Sequence, residues 1–117
     1  MAQSILIVDD HASFRASARS LLEAEGFDVV GEAENGVTAV RLARELEPEV
    51  VLLDVHLSDL DGFEVAERMR ELESAPVVIL TSSRDDYRSL VASSSARAFL
   101  RKDELSGAAL ASALAST

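Results

Sequence analysis

Asp9 and Asp10 stand side by side directly after the apolar run Ile5 to Val8, and Asp54 stands directly after the run Val50 to Leu53. If those runs are neighbouring strands, three carboxylates converge, and each pair repels by roughly a few kcal/mol at intermediate dielectric. A cation relieves that repulsion, and an oxygen-only site with room for water suits Mg2+ or Mn2+. A lone aspartate at such a place reads more readily as a helix cap, and Asp10 precedes a helical segment. Two adjacent aspartates with a third after another apolar run favour the metal. Thr81 follows Val77 to Leu80, and Lys102, the single lysine, follows the apolar pair Phe99-Leu100 by two residues. A hydroxyl and an ammonium beside a carboxylate nucleophile at Asp54 are what attack on a phosphoryl group requires. Catalysis there is chiefly positioning and charge stabilisation.

These residues must be brought together by the elements that carry them. Ser4 to Val8, Asp28 to Gly31, Glu49 to Leu53, Pro76 to Leu80 and Arg97 to Leu100 read as five strands, several apolar on both faces as a covered parallel sheet requires. Helical spacing fills the gaps. Phe14, Ala18, Leu21 and Leu22 share one face of a first helix ended by Gly26, and Ala39, Val40, Ala43 and Leu46 share one face of a second, stopped before Pro48. Val65, Met69 and Leu72 mark a third, Tyr87, Leu90 and Val91 a fourth, and Leu110 and Leu114 a fifth that closes on Ala-Leu-Ala-Ser-Thr. The fourth runs into Ser93-Ser94-Ser95 and has the weakest helical character, because serine competes for its own backbone hydrogen bonds. Alternating strands and helices with short connections predict a doubly wound α/β sheet, whose sites form beyond the carboxyl ends of the strands where strand order reverses.

Composition bounds the rest. The 117 residues suit one domain, and the absence of cysteine excludes disulfide frameworks and thiolate chemistry. A formal charge of -10 argues against direct nucleic-acid contact or adhesion to an anionic membrane. No apolar run approaches membrane-spanning length, and Met-Ala-Gln-Ser opens no secretory signal, so a cytoplasmic location is expected. Residues 1–75 carry six basic and 17 acidic side chains, and residues 76–117 five and four. The less acidic end is where a protein partner is expected to dock.

Taken together, Ile-Leu-Ile-Val-Asp9-Asp10-His, Val-Val-Leu-Leu-Asp54-Val-His-Leu-Ser-Asp-Leu-Asp61-Gly62, Val-Val-Ile-Leu-Thr81-Ser and Ala-Phe99-Leu-Arg-Lys102 resemble the receiver domain of two-component response regulators, over essentially the whole chain. The stretches around Asp-His, Gly31 to Gly36 and Lys-Asp look like its NarL/LuxR-type branch. The resemblance implies a flavodoxin-like, CheY-like fold: a five-stranded parallel sheet in the order 2-1-3-4-5 with five helices. It implies that residues 1–117 form a receiver with no output domain in this chain, and that Asp54 takes a phosphoryl group from a sensor histidine kinase or a small phosphodonor. Mg2+ would be held by Asp10, Asp54 and the backbone carbonyl of His56, with Asp9 acting largely through bound water. Thr81 and Lys102 would grasp the phosphoryl oxygens, and Phe99 would turn inward as the switch residue. The implied role is a signalling switch that controls transcription through an attached or separate output domain. A homodimer through the fourth helix, fifth strand and fifth helix is one way it would act.

Several positions depart from the family pattern. Ser58 stands where proline is usual, which predicts a more mobile loop, and Asp103 replaces a proline after Lys102, which puts a cis bond there in doubt. Ser95 and Ala98 replace common glycines, so the turn into the fifth strand is expected to carry strain. His56 is read first as an exposed loop residue, with the further hypothesis that its bulk obstructs the water that would attack a phosphoryl group. His11 is read as a helix-start residue, and Tyr87 as packing the fourth helix on the sheet. Two alternatives to the switch are an Mg2+-dependent aspartyl-phosphate phosphatase, disfavoured because His56 stands where such enzymes place a second Asp, and a receiver fold that serves constitutively as an interaction module. No dinucleotide fingerprint or P-loop is present.

Overall fold

A computed structural model of the chain describes residues 2–84 and 87–115. Five strands, β1 (Ser4–Val8), β2 (Asp28–Ala33), β3 (Val50–Asp54), β4 (Val77–Ser82) and β5 (Ala98–Arg101), form one parallel sheet in the order β2-β1-β3-β4-β5. The order reverses at β1, leaving a crevice at the carboxyl ends of β1 and β3.

Period-2 alternation along the strands divides the core in two. Leu6, Val8, Val51, Leu53, Val78 and Leu80 point to one face, where helices α2 (Gly36–Leu46) and α3 (Gly62–Arg70) supply Ala39, Ala43, Val65 and Met69. Ile5, Ile7, Val50, Leu52 and Ile79 point to the other, against Ala18 and Leu22 of α1 (Ala12–Ala24) and Leu110 and Ala113 of α4 (Gly107–Ala115). The all-apolar central strands thus fill both layers at once. The helix stops also follow the local chemistry. Gly26 takes φ +94 just beyond α1, a conformation that glycine adopts without a Cβ penalty, while Glu47 takes φ 48 where α2 ends before Pro48.

The fourth of the five expected helices is not an α-helix. Arg88–Ser93 winds as a 3-10 segment, the form taken where the serine-rich sequence gives little support to longer turns. Its exit into β5 contains no residue with positive φ, so the expected strain at Ser95 and Ala98 is absent. The hydroxyl of Ser94 shapes that turn instead, donating to Val91 O at 2.8 Å and accepting from Ala96 N at 3.1 Å. The described peptide bonds are all trans, including Lys102-Asp103. The expected end of the last helix at Ser116 and Thr117 lies outside the described residues. Among the described residues no helix is long and apolar enough to cross a membrane.

Candidate functional site

Strand geometry brings the reactive side chains together. Asp9 follows β1 and extends its ladder through a bond from its amide to Ala33 O at 3.0 Å, while Asp54 is the last residue of β3. Asp54 pairs in register with Thr81 of β4, so both side chains leave the sheet on the same face. Lys102 follows β5 directly and reaches back along the sheet edge. Its Nζ lies 2.6 Å from Asp9 Oδ2 and 3.6 Å from Asp54 Oδ2, and 4.8 Å from the centre of the Phe14 ring.

Burial makes these charges consequential. Asp9 is fully buried, and Asp54 and Thr81 are 3% and 1% exposed. Burial, followed by the charge of Asp9, raises the Asp54 pKa to about 6, and Asp10 adds to the effect, while Lys102 and the backbone amide of His56 oppose it. The contact from Lys102 to Asp9 Oδ2 is close but off the hydrogen-bonding direction. Asp9 Oδ2 and Thr81 Oγ1 are accordingly the buried side-chain polar atoms that lack a hydrogen-bond partner among the described residues.

The setting of Asp54 depends on close backbone approach. Asp61 caps α3, its side chain accepting from Glu64 N at 2.8 Å, and Gly62 N donates to Val55 O at 2.7 Å. A Cβ on Gly62 would lie 2.6 Å from the backbone oxygen of Asp54 and 2.8 Å from Val55 Cα, so only glycine lets α3 start this near the phosphoacceptor candidate. Asp59, next to Ser58, ties the intervening loop to the start of α2: its carboxylate accepts from the amides of Gly36 (2.8 Å), Val37 (3.0 Å) and Leu60 (2.8 Å). An anion at a helix N-terminus is favourably placed.

Phe99 is buried, 5% exposed, within the core layer below β4 and β5, and the Arg88 guanidinium lies 5.1 Å from its ring centre. Its ring is thus already turned inward here. His56 sits two residues beyond Asp54 in an isolated bridge with Asp61, and its Nε2 meets the hydroxyl of Tyr87 at 2.5 Å. The two rings pack edge to face with centres 5.0 Å apart. Tyr87 therefore does more than pack the fourth segment, since it joins that segment to the loop beside Asp54.

Two further side chains belong to the site: His11, which the sequence placed only as a helix-start residue, and Arg15, which it did not single out. His11 precedes α1 but its side chain makes no capping bond; Nδ1 turns instead to Asp9 Oδ1 at 2.9 Å and Asp10 Oδ1 at 3.0 Å. Arg15 donates to the backbone oxygen of Asp9 at 2.7 Å and is itself held by Glu32 at 3.1 Å. The only sequence signal was that both lie within a turn or two of the Asp pair.

One ligand atom each from Asp9, Asp10, His11 and Asp54 lies within 4.8 Å of the others, so this cluster could hold a metal ion. The residues fit a small divalent cation: the donors are mainly carboxylate oxygens, and three carboxylates face the single ammonium of Lys102, 2.6 Å from Asp9 Oδ2 and 3.6 Å from Asp54 Oδ2.

A parallel sheet with this strand order, carrying an acidic cluster, a threonine and a lysine at its carboxyl edge, defines a receiver of the flavodoxin-like class. The chain belongs to the response regulator receiver domain family, whose pattern it matches over residues 5–114. Its structure is similar to the signal receiver domain of the response regulator NarL from Mycobacterium tuberculosis, with 33% identity and a TM-score of 0.83 covering 97% of this chain and 98% of that one. It is also similar to a LuxR-family two-component response regulator from Aurantimonas sp. SI85-9A1, with 28% identity and a TM-score of 0.83 over 97% and 83% of the two chains. Among curated proteins, the transcriptional regulatory protein YdfI of Bacillus subtilis is 40% identical over 84 residues, 71% of this chain and 39% of YdfI. The response regulator protein VraR of Staphylococcus saprophyticus is 39% identical over 95 residues, 77% of this chain and 46% of VraR. The chain thus spans less than half the length of these relatives.

Proposed function

We propose that the chain is a phosphorylation-dependent receiver in which Asp54 accepts a phosphoryl group from the phosphohistidine of a sensor histidine kinase or from a small phosphodonor. The observation that carries this reading is the buried Asp54 carboxylate, 3.6 Å from Lys102 Nζ and beside a buried Thr81 hydroxyl with no hydrogen-bond partner among the described residues. A nucleophilic carboxylate needs ionisation near neutral pH, and a pKa of about 6 allows it while keeping the oxygen more basic than that of an ordinary aspartate.

An Asp54 oxygen forms a bond to phosphorus as the bond from phosphorus to the donor's leaving atom breaks. The departing electron pair stays on the donor, as the imidazole nitrogen of a phosphohistidine or the carboxylate of an acyl phosphate. Asp10, Asp54 and the backbone carbonyl of His56 would hold Mg2+, with Asp9 reaching it through water; bound there, the ion neutralises charge on the phosphoryl oxygens. Lys102 supplies a second positive charge from the other side. The Thr81 hydroxyl donates to a phosphoryl oxygen, gaining the partner it lacks. Movement of Thr81 would couple through the β4–β5 ladder to Phe99, which pairs with the adjacent Leu80, and so to the surface formed by the 3-10 segment, β5 and α4.

That surface would carry the output. It includes a groove of about 520 Å³ floored by Val91, Phe99 and Leu100 and walled by Ala109 and Ala113. Leu90 nearby is 47% exposed. An output domain, attached or separate, or a second copy would bind there. The longer relatives described as transcriptional regulators support control of transcription as the outcome, and the charge of -10 assigns any DNA contact to the output part. The same reading makes residues 1–117 one receiver domain acting in the cytoplasm.

Incubation with Mg2+ and acetyl phosphate, followed by intact mass measurement, tests the reading. Wild type should gain one labile phosphoryl group, and neither Asp54→Asn nor wild type in EDTA should. A folded wild type that binds Mg2+ yet gains nothing would overturn it and favour a constitutive interaction module.

A further inference from the structure

His11 has no part in the phosphotransfer just described, yet its imidazole is aimed into the acidic cluster. We propose that His11 Nδ1 is an additional ligand of the divalent cation, so that the site discriminates in favour of transition-metal cations, Ni2+ more than Mn2+, over Mg2+ more strongly than an oxygen-only site would. The inference rests on the acidic cluster being a metal site.

The first support is direction. The His11 ring makes no capping hydrogen bond to α1, and its Nδ1 faces the carboxylates of Asp9 and Asp10. The His11 amide donates to Asp9 Oδ1 at 2.9 Å, which draws the ring towards the carboxylates.

Spacing is the second. In an octahedral sphere with bonds of about 2.1 Å, neighbouring ligand atoms are about 3.0 Å apart and opposite ones about 4.2 Å. Nδ1 lies 3.0 Å from Asp10 Oδ1, a carboxylate oxygen that would hold the ion directly, and this is the edge length of such a sphere. One ligand atom each from Asp10, His11 and Asp54 lies within 4.8 Å of the others, so a contraction of a few tenths of an ångström on each side would close them around an ion.

Chemistry is the third. Lys102 Nζ, 2.6 Å from the buried Asp9 Oδ2, is one positive charge set against the three carboxylates of the cluster, and among the described residues that oxygen accepts no hydrogen bond. The His11 side chain is 65% exposed, which lets the ring keep its proton on Nε2 towards solvent while Nδ1 binds. Imidazole nitrogen adds affinity for Mn2+ and, more steeply, Ni2+, and little for Mg2+, which prefers oxygen and retains its waters.

The same distances would arise if an imidazolium merely bridged the two carboxylates as a counter-charge, and the two arrangements predict opposite results. Calorimetric titration of the metal-free full chain with Mg2+, Mn2+ and Ni2+ should show His11→Gln weakening Mn2+ and Ni2+ binding by about tenfold or more, with Mg2+ changed by less than about threefold. Pulsed electron paramagnetic resonance of the Mn2+-loaded wild type should show coupling to an imidazole 14N that His11→Gln abolishes. Tighter binding of all three ions by His11→Gln, an equal change for each, or no 14N coupling in wild type would overturn the assignment. Mg2+ binding and Asp54 phosphorylation would survive that failure. A wild type that binds no divalent ion would overturn both this assignment and the metal site it rests on.

Discussion

Replacing Asp54 by Asn should stabilise the protein, although it removes the proposed phosphoacceptor. Burial and the neighbouring Asp9 raise the Asp54 pKa from 3.8 to about 6, with Lys102 only partly offsetting them. Below about pH 3 the residue is protonated in both folded and unfolded chains and contributes no difference, and at pH 4 the difference is still small. As pH rises, Asp54 ionises first in the unfolded chain and only near pH 6 in the folded one, so folding loses stability across that window and the deficit persists above it. At about 1.4 kcal/mol per unit, the full deficit is about 3 kcal/mol at pH 7.5. Asn keeps the shape without the charge, so Asp54→Asn should gain about 1–3 kcal/mol there, or about 4–12 °C in Tm for a domain of this size. The assay is thermal and urea unfolding of both proteins in EDTA at pH 4 and pH 7.5. A variant no more stable than wild type at pH 7.5, or a gain of equal size at pH 4, would refute the electrostatic reasoning.

Gly62→Ala would drive a Cβ to 2.6 Å from the Asp54 backbone oxygen; it should cost about 2 kcal/mol or more in urea unfolding and slow phosphoryl uptake from acetyl phosphate, since the carboxylate moves with its backbone. Asp59→Ala removes the acceptor for three amides at the start of α2 and in the loop after β3, and should cost about 1–2 kcal/mol in the same assay without abolishing phosphorylation. His56→Ala should speed loss of the phosphoryl group, followed by intact mass after donor removal. Tyr87→Phe, which loses only the hydroxyl bonded to His56 Nε2, should move the rate in the same direction by less.

The five strands were legible because their apolar runs are short, separated and β-branched, and each begins within a residue of where the spacing put it. Strand ends were less so. β2 continues through Glu32 and Ala33, which have no apolar signature, because Ile7 and Val8 of β1 pair with them across a register shift. The fourth helical segment could be placed but not typed: serines and a lack of buried residues leave its winding to tertiary contacts. Asp9, Asp10, Asp54, Thr81 and Lys102 stood out because strand ends in a doubly wound sheet share one edge. Side-chain direction is what spacing does not convey. Whether His11 caps its helix or turns to the aspartates depends on local torsions, and the His56–Tyr87 contact joins residues 31 apart. The Ser58 loop read as loosened by a missing proline, yet Asp59 beside it anchors the loop to α2 through hydrogen bonds that composition does not reveal.

The central claim is that Asp54 is the phosphorylated residue. Borohydride reduces an aspartyl phosphate to homoserine, which peptide mass spectrometry then locates in the acetyl phosphate-treated protein. Homoserine at position 54, dependent on Mg2+ and confined to that position, is the expected result. Modification at Asp9 or Asp10 instead, or a stable phosphoryl group on His11, would contradict the account.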